Sequence, residues 1–236
     1  MNVKVKFSNQ NPNTREMSDT YFAEGGGWEA NRGRFQTRRF AECFVRNFEI
    51  PCKGNFSFLD MGCALGDALP VIHDRYPDAV LYGTDFSDVA VRRCTEKFGS
   101  IAKFFTSSLD ALDRHYDVIF LSNVIEHIEN YVEIVRALTE YCDVLYALTP
   151  YNEHIDGRKI TPELGYHHVV TLDEHIFDSI LEGSDLQLKH KVFKCTGAWD
   201  YSFSKKLKSV IGIHKLEPRL QIGYEFTHRL KPGNNG

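Results

Sequence analysis

The sequence predicts an α/β fold, a mostly parallel sheet with helices on both faces. Two observations predict it. Between residues 56 and 150, short apolar runs alternate with amphipathic stretches of helical period, which is the rhythm of βαβ units. The first two apolar runs carry Asp60 and Asp85 near their ends, with Gly62 and Gly83 close by. Right-handed crossovers bring such strand ends to one edge of the sheet, where ligands bind in this class of fold.

The elements follow in order. Residues 1–20 are polar and rich in Asn and Ser, which predicts a loose arm. Three glycines at 25–27 precede an arginine-rich stretch. In it Phe35, Phe40, Phe44 and Phe48 recur near helical spacing, predicting an amphipathic helix over 35–48 that leads into the core. FSFLDMG, from Phe56, reads as a buried strand. GDALPVIHDRY reads as a helix with Pro70 in its first turn, where proline is tolerated. DAVLYGTD is the second strand. SDVAVRRCTEKF is a helix, and Ser87 is placed to cap it. IAKFFTS and YDVIFLSN are the third and fourth strands. NYVEIVRALTE is a helix whose Asn130 and Glu133 have capping-box spacing. YCDVLYALTP is the fifth strand, stopped by Pro150.

Residues 151–170 read as a polar loop holding His154, His167 and His168. TLDEHIFDSILEG reads as a helix, with Thr171 and Glu174 as capping box and Gly183 at the C-cap position. DLQLKHKVFK alternates apolar and polar residues, as a half-exposed strand does. Residues 195–220 form a long connection with Trp199, Tyr201, Phe203, Lys205, Lys206 and Lys208. IGYEFTHRL is a last alternating strand. The expected organisation is an N-terminal arm and helix over 1–50 forming part of an acceptor lid, one domain over 51–230, and a tail over 231–236. Within that domain, 150–170 and 195–220 are the substrate-side loops.

Composition narrows the function. With 42% apolar and 25% charged residues the chain is neither wholly disordered nor collagen-like. A net charge of −4 argues against a nucleic-acid binder that relies on overall positive charge. No apolar run approaches the ~18 residues that span a bilayer, and the N-terminus lacks the apolar segment of a secretory signal. The six cysteines form no C-x-x-C pair, which predicts reduced thiols and a cytoplasmic protein. Nothing in the pattern sets an oligomeric state.

The strongest local signal is Leu59-Asp60-Met61-Gly62-Cys63-Ala64-Leu65-Gly66: a strand carrying an acid, a glycine turn, then a helix. Glycines let a ligand approach the backbone. An acid at the end of the second strand, Asp85, suits a ribose diol. Two ligands compete for this arrangement. A nicotinamide dinucleotide wants glycines at the positions of Gly62, Ala64 and Asp67, and a negative charge at the third is unwelcome beside a pyrophosphate. S-adenosyl-L-methionine has a ribose and an adenine but no phosphate, and it carries a sulfonium and an ammonium. Asp60 then serves as partner for that cationic end, and this ligand is the expected cofactor. A turn that binds nothing is the bland alternative.

In FLDMGCALGDALP, LYGTDFSDVAV, Ser107-Ser108-Leu109 and YDVIFLSNVIEHIEN the sequence resembles class I S-adenosylmethionine-dependent methyltransferases. The resemblance is to the broad small-molecule branch that includes ubiquinone-biosynthesis-type enzymes. It runs from about residue 56 to 150 and departs at Ala64, where the family often has glycine. It implies a Rossmann-like seven-stranded sheet whose last strand is antiparallel, with 185–194 and 222–229 as sixth and seventh strands. It also implies site roles. Gly62, Cys63 and Gly66 would pass under the methionine portion, and Asp60 would help hold the amino-acid end. Asp85 would accept the ribose hydroxyls, with Phe86 packing on adenine. Ser108 and Leu109 would border the adenine edge, and Asn123 and Val124 would line the pocket. The product would be S-adenosyl-L-homocysteine.

His127 lies just beyond the fourth strand, near where a methyl acceptor should come. A histidine there can take a proton from an attacking hydroxyl, or it can merely orient the cofactor loop. His154, His167 and His168 sit on a loop expected over the same edge. His154 and His168 are candidate second bases or substrate contacts, with ordinary loop polarity as the alternative. Metal ligation is disfavoured, because adjacent side chains in extended chain diverge, and no metal is expected. The cluster Arg32, Arg34, Arg38, Arg39 and Arg46 suits an anionic acceptor such as a phosphorylated or nucleotide-linked sugar, or else forms a solvated face paired with Glu29 and Glu42. Tyr21, Phe22, Trp28, Trp199, Tyr201 and Phe203 are lid aromatics.

The expected function is methyl transfer to a small-molecule acceptor, at oxygen. An enzyme methylating nitrogen on a small amine or an RNA base is the alternative within the same chemistry. The absence of an Asn-Pro-Pro-Tyr-like tetrad after the fourth strand weighs against exocyclic base amines. A non-catalytic cofactor-binding module is the alternative outside it.

Overall fold

The computed structural model describes residues 3–4, 14–109, 112–161, 167–195 and 220–229. Three helices come first: α1 (Arg15–Phe22), α2 (Gly27–Ala30) and α3 (Gly33–Asn47). Strands and helices then alternate as β1 (Ser57–Met61), α4 (Leu69–Arg75), β2 (Val80–Asp85), α5 (Asp88–Phe98), β3 (Ala102–Thr106), β4 (Tyr116–Ser122), α6 (Tyr131–Thr139) and β5 (Cys142–Pro150). A small hairpin follows, β6 (His154–Ile155) with β7 (Arg158–Lys159). The described part ends with α7 (Asp178–Leu181), β8 (Leu186–Lys194) and β9 (Leu220–His228).

Seven strands make one sheet in the order β3-β2-β1-β4-β5-β9-β8. β1 to β5 are mutually parallel, and β9 is inserted antiparallel between β5 and β8. The expected architecture, including the antiparallel last strand, is the one observed. The chain reverses direction across the sheet between β1 and β4. That switch point opens a crevice at the carboxyl ends of both strands.

Both faces of the sheet are covered, which is why its central strands are apolar nearly throughout. On one face Phe58, Val118 and Phe120 pack with Phe44 of α3 and with Leu69 and Ile72 of α4. On the other, Leu59, Met61, Ile119 and Leu121 pack with Ile134, Val135 and Leu138 of α6 and Ile180 of α7. Each such side chain removed from water contributes about 1.5–3 kcal/mol. Ser87 caps α5 as expected, its hydroxyl accepting from the Ala90 amide at 3.1 Å.

Several expectations need correction. Residues 15–20 of the supposed loose arm belong to helix α1, which is capped by Thr14. Asn130 begins α6 without capping it by its side chain; its amide donates to the carbonyl of Lys4 instead. The loop over 151–170 contains the β6–β7 hairpin. Its turn is Asp156-Gly157, both at positive φ, the arrangement that Asp-Gly pairs favour between strands. The helix expected from residue 171 is confined to Asp178–Leu181. Thr171 does not cap it, because its hydroxyl accepts from the Ile160 amide and donates to the Glu153 carbonyl, each at 2.7 Å. Trp199, Tyr201, Phe203, Lys205, Lys206 and Lys208, with the tail over 231–236, lie outside the described residues.

All six cysteines are free. Among the described residues no helix is long and apolar enough to cross a membrane.

Candidate active site

The crevice is floored by the turn after β1. Gly62 has φ +78°, and a Cβ built on it would stand 2.6 Å from Cγ2 of Val124, so only glycine fits between β1 and β4. Val124 is aimed there by Asn123, which adopts the left-handed conformation at φ +55° while its amide donates to Leu148 at 2.7 Å. The amides of Gly62 and Cys63 both donate to the carbonyl of Thr84, at 2.8 and 2.9 Å, locking the turn to β2. The Cys63 thiol is buried, and both it and the Cys94 thiol face the Ala64 carbonyl, so what Cys63 can offer a ligand is backbone. Gly66 closes the turn at φ +74°.

Two carboxylates flank this turn. Asp60 is 1% exposed, and its Oδ2 has no hydrogen-bond partner among the described residues. Burial, and then the neighbouring charge of Asp85, push its pKa up to about 7. Leaving a buried carboxylate oxygen unpaired is costly, and an incoming cation removes that cost. Asp85 is buried too. Its Oδ2 accepts from the Ala64 amide and its Oδ1 from the Ser87 amide, both at 3.0 Å. Burial raises it to about 6 against the lowering effect of those amides. A carboxylate has about four lone-pair sites, so acceptor capacity remains for a ribose hydroxyl. Half-buried Phe86 follows Asp85 directly, and half-buried Ser108 and Leu109 lie just past the end of β3. The amide of Ser107 donates to the Asp85 carbonyl, which holds the two strand ends together.

Asp67, the acid that argued against a pyrophosphate, is held by Arg34 at 2.9 Å and Lys97 at 3.2 Å. Three arginines of the N-terminal cluster pair with its acids, while Arg32 lies over the Phe35 ring. Arg34 also pairs with Glu29, and Arg38 and Arg39 both pair with Glu42. Above the turn sits an aromatic cap. Phe22 packs edge-on against Trp28 at 5.2 Å between ring centres, and the pair rests on Ala64, Leu65 and Ala90. Arg93 ties this cap down by donating to the Phe22 carbonyl and to Glu29.

The other wall is the turn of 3₁₀ helix Ile125–His127 after β4. His127 Nδ1 is 2.7 Å from the carbonyl of His167, and the Val169 amide donates to the Glu126 carbonyl at 2.7 Å. These two bonds draw the 167–169 segment onto the turn. The rings of His127 and His168 meet edge-on at 4.8 Å. His168 Nδ1 is hydrogen-bonded to the carboxylate of Glu153. Burial, followed by the influence of His168, lowers the His127 pKa to about 4, so at neutral pH its ring is uncharged and weakly basic. Glu126 is buried, with Oε2 accepting from Thr149 at 3.0 Å, and burial raises its pKa to about 7.

The structure therefore brings His127 and His168 together and leaves His154 apart. His154 bonds its Nδ1 to the Asn152 carbonyl within its own turn. Sequence reasoning missed Glu126 and Glu153 as site residues. Glu126 stands next to His127, a signal that could have been read. Glu153 reaches His168 only because the hairpin folds back, and no local pattern announces that.

Residues 59–143 match a family described as a methyltransferase domain. No curated protein matches the chain by sequence. Among solved structures, the chain is similar to one from the complex between the Haloferax volcanii Trm112 methyltransferase activator and the putative methyltransferase. That TM-score is 0.63 at 13% identity, over 90% of this chain and 98% of that one. It is similar to coclaurine N-methyltransferase bound to N-methylheliamine and SAH, with TM-score 0.59 and 12% identity over 81% and 72% of the two chains. It is also similar to the plantazolicin methyltransferase BpumL in complex with SAH, with TM-score 0.53 and 22% identity over 93% and 91%. At these identities the likeness shows a common fold.

Proposed function

We propose that the methyltransferase domain at residues 59–143 is the core of an S-adenosyl-L-methionine-dependent enzyme that methylates an oxygen of a small-molecule acceptor. The observation that carries this reading is the buried, unpartnered Oδ2 of Asp60 beside the Gly62 turn. A cationic ligand satisfies it, and a pyrophosphate would bring further negative charge against Asp60. Asp60 holds the amino-acid end of the cofactor, while Gly62, Cys63 and Gly66 pass beneath it. Asp85 accepts the ribose hydroxyls, Phe86 packs on the adenine, Ser108 and Leu109 border it, and Asn123 and Val124 line the pocket. Residues 1–50 form part of the lid over the acceptor.

The acceptor comes to the side of the crevice where Glu126, His127 and His168 converge. Its oxygen attacks the methyl carbon, the carbon–sulfur bond breaks with the electron pair staying on sulfur, and the acceptor proton passes to solvent. The protein aligns donor and acceptor and keeps water out. The uncharged ring of His127 offers no opposite charge to a protonated amine, which favours a hydroxylated acceptor. Calorimetry with the cofactor and its demethylated product, followed by labelled methyl transfer to a panel of hydroxylated metabolites, tests the reading. Micromolar binding of both compounds and a labelled ether or ester product are expected. Binding of a nicotinamide dinucleotide in their place would overturn the cofactor assignment.

A further inference from the structure

One carboxylate oxygen of Glu126 and one ring nitrogen from each of His127 and His168 lie within 4.8 Å of one another. Ligand atoms around one ion with bonds of about 2.1 Å sit roughly 3–3.5 Å apart, so small side-chain rotations bring all three into register. Two further observations point to a cation here.

The first is how the rings are held. His127 Nδ1 faces the carbonyl oxygen of His167, and His168 Nδ1 faces the carboxylate of Glu153. A carbonyl or an ionised carboxylate can only accept, so each Nδ1 donates, which leaves Nε2 as the nitrogen of each ring that a metal would take. A histidine whose far nitrogen donates to a carbonyl or carboxylate is the usual support of a metal-bound imidazole. The second is Glu126. Its Oε1 is buried with no hydrogen-bond partner among the described residues, although Oε2 of the same carboxylate is satisfied by Thr149.

We propose that Glu126, His127 and His168 bind one divalent first-row transition ion, oriented by Glu153 and the His167 carbonyl. Two imidazoles with one carboxylate and no thiolate suit Zn²⁺, Mn²⁺, Fe²⁺ or Co²⁺ better than Mg²⁺ or Ca²⁺, which prefer oxygen throughout. The divergence of His167 and His168 is respected, since only His168 supplies its ring and His167 supplies its backbone. Three protein ligands leave coordination positions open. Resting on the methyltransferase reading above, an open position takes the acceptor hydroxyl. Coordination releases its proton to water, and the bound oxygen then attacks the methyl carbon while sulfur keeps the electron pair.

The test is titration of the full chain, stripped with chelator and dialysed, with Co²⁺ followed by visible absorption and with Zn²⁺ followed by calorimetry. No cofactor or acceptor is present, so the outcome is independent of methyl transfer. One equivalent should bind with micromolar or tighter affinity. Glu126→Gln and His168→Asn should each weaken binding about 100-fold, and Glu153→Gln about 10- to 100-fold, the range for a supporting carboxylate. S-adenosyl-L-methionine affinity in each variant checks that it is folded, and should not change. If Glu126→Gln fails to fold, His168→Asn decides alone. Absence of stoichiometric binding, or unchanged affinity in the folded variants, would overturn the proposal.

Discussion

Ala64 occupies a conformation better suited to glycine, with φ +50° in the turn that floors the crevice. A side chain in that region costs about 1–2 kcal/mol. Replacing it with glycine relieves this strain, but it loses one buried methyl worth about 0.8 kcal/mol and adds about 0.4–1 kcal/mol of freedom to the unfolded chain. The terms nearly cancel, so Ala64→Gly is expected to change stability by no more than about 0.5 kcal/mol, read by urea unfolding. A loss above about 1.5 kcal/mol would show that the methyl packs against Phe22 more tightly than its strain suggests. The placement of Asp60, Gly62 and Asp85 at strand ends and in the turn between them was legible in the sequence. Glu153 was not, because its contact with His168 depends on a hairpin and a bend that bring distant loop segments together.

At the scale of elements, β1 to β5 and α3 to α6 were legible because alternating apolar runs leave little choice about what is buried. The alternating strands β8 and β9 were legible too, but the segment over 151–183 was not. Its capping pattern at Thr171 and Glu174 is genuine chemistry spent elsewhere, since Thr171 secures the hairpin and Glu174 accepts from the Tyr151 hydroxyl at 2.6 Å. The N-terminal helices also escaped the expectation of a loose arm, because their anchor lies far along the chain. Phe22 is 8% exposed and bridges α1 to Trp28, Ala64 and Ala90. Phe22→Ala should cost about 3 kcal/mol by the usual cost of emptying a buried aromatic site. It should also loosen the cap over the Gly62 turn, so cofactor affinity falls with stability. A variant within about 1 kcal/mol of the parent in denaturant unfolding would mean that α1 docks through its polar contacts, of which Asp19 to Ser87 is one.

For the whole molecule, the buried acids make stability depend on pH in an unusual sense. Asp60 and Asp85 titrate near 3.8 when unfolded, and near about 7 and about 6 when folded. Between those limits the folded protein holds protons that the unfolded chain has released, so stability falls as pH rises from about 4 to about 7. A cationic cofactor beside Asp60 reverses that loss. The rise in melting temperature on adding S-adenosyl-L-methionine is expected to be greater at about pH 7.5 than at about pH 5.5, by thermal unfolding at matched saturation. Equal rises would remove Asp60 from cofactor recognition.

The placement of β9 between β5 and β8 has a consequence for how the polypeptide is made. Synthesis proceeds from the N-terminus, and parts of a protein can begin folding before the rest exists. The five parallel strands and their helices are all available once residue 150 has emerged. The partner that closes the far side of β5 is not, and β8 emerges with no neighbour to join. A nascent chain halted before Leu220 thus holds a finished crevice beside an open sheet margin, and only translation through His228 seals it.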